Sequence, residues 1–163
     1  PLGVWEREPT SYPNNLSATQ VPVLFGLLSM PTLCEIEEQI EASTDRFLTE
    51  RLNRKRRIRR AVGNGDVTTM PLWVWQVGGC LLMGHPNEAY SALQTEVRTY
   101  FAPQPVVVMN VTNGHFGYLP PDPLYNEDIY PVWQTPFGRG GLNRLIESAK
   151  EAGQRLLSEE VDG

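Results

Sequence analysis

The chain's two histidines, His85 and His115, each follow a short apolar run, and each has an oxygen donor three residues on. The first cluster is Gly84-His85-Pro86-Asn87-Glu88, after Cys80-Leu81-Leu82-Met83. The second is Asn113-Gly114-His115-Phe116-Gly117-Tyr118, a few residues after Val106-Val107-Val108-Met109. Imidazole, carboxylate and phenolate are all zinc ligands, and several of them converging on one point would make a metal site. The spacing matches no established zinc motif. Each residue also has a plainer role. Glu88 reads as a first-turn carboxylate of a helix capped by Asn87. His85 could fill a turn beside Pro86, His115 could be a packed loop residue, and Tyr118 could be a core phenol with one hydrogen bond.

The elements around these clusters predict how they meet. The two apolar runs read as buried strands. Between them Tyr90, Leu93, Val97, Tyr100 and Phe101 recur at helical spacing. A strand, helix, strand crossover makes the strands parallel, so both clusters leave from carboxyl ends, the edge where open α/β sheets bind ligands. Leu72-Trp73-Val74-Trp75-Gln76-Val77 is a further strand, joined to Cys80–Met83 by a Gly78-Gly79 hairpin turn. Upstream, Val21–Ser29 reads as a strand, and Thr32-Leu33-Cys34-Glu35 as a capping box. One long helix is then expected, with Ile36, Ile40, Phe47, Leu48 and Leu52 as its apolar stripe, ending near Val62 at Gly63-Asn64-Gly65-Asp66. Leu119–Pro136, rich in proline, reads as a long loop. Leu142, Leu145, Ile146, Ala149 and Leu156 define a closing amphipathic helix. The expected fold is α/β, a mixed sheet with a βαβ crossover unit and about three packing helices. Residues 1–20 form an irregular arm and 21–163 a single domain.

Composition is that of an ordinary globular chain, with 40% hydrophobic and 20% charged residues and a net charge of −5. No apolar run approaches the ~20 residues of a membrane helix. Cys34 and Cys80 read as small buried hydrophobes. Seven of the 14 basic residues fall between Arg51 and Arg60. Without interleaved aromatics this run reads as a solvated helix face, and no nucleic-acid partner is expected. The absence of an initial Met and of a leader-like run reads as a piece of a longer protein.

Val77-Gly78-Gly79-Cys80-Leu81-Leu82-Met83-Gly84-His85-Pro86-Asn87-Glu88 resembles the segment of neutral (non-lysosomal) ceramidases that ends in Gly-x-Pro-Gly-Glu. Asn113 to Pro120 resembles their Asn-x-x-x-Gly-Tyr segment and the turn after it. Thr135, Phe137 and Gly138 match a following run that carries Thr, an aromatic and Gly. The resemblance spans roughly Thr68 to Leu157. It implies a zinc-dependent amidase that cleaves the N-acyl bond of a lipid, with Glu88 and Tyr118 as metal ligands and His115 lining the catalytic pocket. It also implies that the histidine ligands and a serine-bearing loop lie in an N-terminal half not contained here, so that this fragment alone is inactive. A secreted or membrane-associated extracellular setting follows from the same resemblance. Two departures stand out: Asn87 occupies the place of the family's Gly, and His85 that of an aliphatic residue. Two other readings stay open: a non-catalytic α/β binding module, and a self-contained metal site of His85, Glu88, His115 and Tyr118.

Overall fold

The computed structural model describes residues 15–158. A four-stranded sheet in the order β1-β2-β3-β5 forms its centre. Strands β1 (Leu16–Gly26) and β2 (Val67–Val77) pair antiparallel over their full length. β2 turns at Gly78-Gly79 into β3 (Cys80–Gly84), with Val77 opposite Cys80. Gly78 has φ +56°, the left-handed conformation that such a turn requires. β3 and β5 (Val106–Met109) are parallel, joined by the crossover helix α3 (Ala92–Phe101). The fold is thus α/β with a mixed sheet, as the hydrophobic pattern predicts.

One face of the sheet is the core. Val23, Phe25, Leu72, Val74, Leu81 and Met83 point from it against α3 and α5 (Gly141–Ser158). Helix α5 comes so close that a Cβ on Gly153 would stand 2.6 Å from the Phe101 ring and 2.9 Å from Met83. Removing a buried Leu from such a core costs about 2–5 kcal/mol. The opposite face carries Ala18, Pro22, Leu24, Trp73, Trp75, Leu82 and Val107 at alternating positions, with no charged residue on any of the four strands. The Trp73 Nε1–H donates to Gln20 Oε1 at 2.7 Å across that face. Its positions on β1 are exposed, and those on β2 are exposed or half-buried.

Four local expectations are corrected. The stretch read as one helix is two: α1 (Leu33–Ala42), with the Thr32–Glu35 capping box in place, and α2 (Arg46–Val62). Asp45 starts the second by accepting from the Phe47 and Leu48 amides at 2.8 and 3.4 Å. An N-cap of this kind breaks a helix even where the apolar stripe runs through in phase. Leu119–Pro136 is not a structureless loop, since it holds a 3-10 turn (Asp122–Asn126) and the short helix α4 (Tyr130–Gln134). Proline in their first turns is compatible with helix, because those amides need no intrahelical acceptor. β1 begins at Leu16, inside the stretch read as an irregular arm; residues 1–14 of that arm lie outside the described ones. Cys34, read as a buried hydrophobe, is exposed on α1 beside Glu38.

Candidate functional site

The segment after β3 runs alongside the segment after β5, and backbone hydrogen bonds join the two. The His85 N–H donates to the Met109 carbonyl (3.3 Å), the Thr112 N–H to His85 (2.9 Å) and the Phe116 N–H to Pro86 (3.3 Å). The pairing ends in a second, two-stranded sheet of β4 (Glu88–Ala89) and β6 (Tyr118–Leu119), parallel, with Glu88 opposite Tyr118 and Ala89 opposite Leu119. Glu88 is therefore in a strand. The helix start expected at Asn87 is displaced to Ala92, because the Glu88 N–H is claimed by the Gly117 carbonyl at 3.0 Å.

Side-chain alternation in these short strands decides what is presented. Ala89 and Leu119 are buried, while Glu88 and Tyr118 point the other way. The His115 Nε2 lies 3.5 Å from Glu88 Oε2, and both side chains are about half exposed. The rings of His115 and Tyr118 meet edge to face at 6.2 Å, and those of Tyr118 and Tyr130 at 5.9 Å. Burial, and after it the neighbouring Glu88 carboxylate, pushes the Tyr118 phenol above its ordinary range. The backbone behind is fixed: the buried Thr135 hydroxyl donates to the Tyr118 carbonyl at 2.7 Å. Gly117, at φ +118°, packs where a Cβ would stand 2.5 Å from Pro136 and 2.8 Å from the Gln134 carbonyl.

Glu88, His115 and Tyr118 are thus brought together at the carboxyl edge of the parallel strands. His85 is not among them. It is 1% exposed, and its Nδ1 accepts from the Asn87 N–H at 3.3 Å. Burial lowers its pKa to about 4, an effect only partly offset by the Asn110 side chain. Among the described residues, its Nε2 and both polar atoms of the fully buried Asn87 find no hydrogen-bond partner. Among the described residues, no three His, Cys, Asp or Glu side chains gather as a metal cluster, so the four-donor set containing both histidines is not assembled. Tyr130 falls within the stretch covered by the family resemblance, but sequence reasoning gave it no role at the site, because its contact with Tyr118 depends on α4.

The donors suit a metal chemically. Glu88 offers a carboxylate and Tyr118 a phenol from paired strands, with the His115 imidazole 3.5 Å from that carboxylate. The basic run forms α2, where Arg54 pairs with Glu50 and Arg60 with Glu37 (2.8 Å). Compared with known proteins, the chain matches no family model, and no curated protein matches it.

Proposed function

We propose that this chain supplies part of the active site of a zinc-dependent amide hydrolase acting on an N-acyl lipid or another amide, with the remaining ligands in an N-terminal half of the same protein. The observation that carries this reading is the register pair Glu88–Tyr118 with His115 beside it, on the edge where α/β sheets hold their ligands. The resemblance of the two flanking segments to neutral ceramidases supports it.

A zinc ion held there would supply polarisation of the amide carbonyl and a bound water with its pKa lowered to about 7. The chain's own residues have separate tasks. The Glu88 carboxylate would bind the metal and orient the His115 imidazole. With Nε2 turned to the Glu88 carboxylate, the other ring nitrogen of His115, Nδ1, would accept a proton from water and return it to the leaving amine. Tyr118, with its pKa raised, is a neutral phenol at pH 7 and becomes a ligand only where the charge of a fully held cation draws off its proton.

Zinc content and thermal unfolding test this. The chain alone should bind no stoichiometric zinc at micromolar metal and show no gain in Tm. Joined to the N-terminal half, it should hold zinc, and Glu88→Ala or Tyr118→Phe should release it. Zinc held equally well by both variants would overturn the assignment. Zinc stabilising the isolated chain, with the effect abolished by His115→Ala, would instead mean that the site is complete without the other half.

A further inference from the structure

A groove separates α2 from α4. One face of α2 lines it with Leu48, Arg51, Leu52, Lys55 and Ile58, at the spacing of a single helical stripe. Trp133, Gln134 and Pro136 form the opposite wall, and Met30 lies at its base. Its volume of about 330 Å³ is within the range of small-molecule sites. It continues into a shallower hollow of about 550 Å³, which shares Arg51, Trp133 and Gln134 and reaches Tyr130.

The lining is apolar below and cationic at the lip. Arg51 and Lys55 are exposed, and neither has a carboxylate within 4.0 Å among the described residues. Arg54, by contrast, is engaged with Glu50. Among the described residues, the only carboxylate lining the groove or hollow is Asp128, whose Oδ1 accepts from the Trp133 indole at 2.9 Å. Trp133 is 58% exposed and Leu48 47%, so apolar surface lies open directly beside two unpaired cations. That combination matches one kind of ligand.

We propose that this groove binds a single-chain amphipathic anion. Its alkyl or aryl tail would lie over Leu48, Leu52, Ile58 and Trp133. Its carboxylate, sulfate or phosphate head would sit between Arg51 and Lys55, as a charge-assisted hydrogen-bonded group. Cations four residues apart on one helix face are neighbours, so one head group reaches both. The site does not depend on the role of Glu88. Its walls adjoin that cluster through Tyr130, whose ring meets Tyr118, and through Thr135, whose hydroxyl donates to the Tyr118 carbonyl.

Calorimetry and tryptophan fluorescence with decanoate and decyl phosphate, kept below their micelle-forming concentrations, test the assignment. Decanol and decyltrimethylammonium serve as chain-matched controls. Both anions should bind saturably, about tenfold or more tighter than the alcohol, with an affinity that falls as salt rises. Arg51→Glu with Lys55→Glu should remove that preference, and circular dichroism should show an intact fold, since both side chains are exposed. Trp133→Ala should weaken the tail contribution for anion and alcohol alike. Equal binding of anion, alcohol and cation would overturn the proposal, as would the absence of saturable binding. Anion affinity unchanged in the double variant would place the ligand elsewhere, on the open sheet face of Trp73 and Trp75. Binding to anionic vesicles with none to the monomeric anions would make the surface a membrane contact and sink the groove.

Discussion

His85 comes directly after β3, and His115 lies in the loop that follows the neighbouring parallel strand β5. Both leave the same edge of the same sheet, yet one is sealed and the other open. His85 is held between the Met109 carbonyl, which its backbone N–H reaches, and the amide of Thr112, whose hydrogen its carbonyl accepts, and its ring is 1% exposed. His115, in the neighbouring segment, is half exposed and meets Glu88. Position at the carboxyl edge of a sheet is therefore not enough to make a histidine available. The local course of each segment decides which ring meets solvent.

The largest test of this contrast is stability. His85→Ala removes a ring that is 1% exposed and should cost about 2–4 kcal/mol in urea unfolding, whereas His115→Ala should stay within about 0.5 kcal/mol. Equal costs would break the comparison.

The next effect is on pH dependence. His85 titrates at about 4 when folded, and protonating Nδ1 would remove the acceptor of the Asn87 amide. The unfolded chain takes up this proton near pH ~6.5 and the folded one does not, so stability is fully present above pH ~6.5 and is lost as pH falls toward about 4. The loss from this group should reach about 3 kcal/mol at most. His85→Gln should flatten that segment of the curve, and His115→Gln should leave it in place. A slope unchanged by His85→Gln would mean that the ring is not sealed.

The smallest effect concerns the open side. Glu88→Gln should lower the Tyr118 pKa without returning it to the ordinary value, because burial, the larger cause, remains. Ultraviolet titration of the phenol reads this directly. An unmoved titration would separate the pair that the register brings together.

The βαβ unit, the Gly78-Gly79 hairpin and the Thr32–Glu35 cap were legible because each is written in neighbouring residues. The convergence of Glu88 with Tyr118 followed from topology alone: parallel strands send both segments to one edge. The strand at Glu88 was not legible. Asn87-Glu88 carries a local helix-start signal, and the partner that overrides it, the Gly117 carbonyl, is remote in sequence. The break at Asp45 did have a signal, an N-cap residue after Ser43-Thr44 in the gap between Ile40 and Phe47, but apolar residues on both sides of that gap fit one helical stripe and concealed it. The groove of Arg51, Lys55 and Trp133 joins residues far apart in the chain and leaves no local pattern.

The two-residue ladder between β4 and β6 has a bearing on how this surface can vary. Each exposed donor has a buried neighbour in the same strand, Ala89 beside Glu88 and Leu119 beside Tyr118. A slip of one residue in either strand would turn a donor inward and lift an interior side chain into water. Leu119 is fully enclosed, so that exchange carries the cost of a core substitution. Residues on free loops can drift one at a time under mutation. Here the facing of Glu88 and Tyr118 is tied to the burial of Ala89 and Leu119, so one cannot change register without the other.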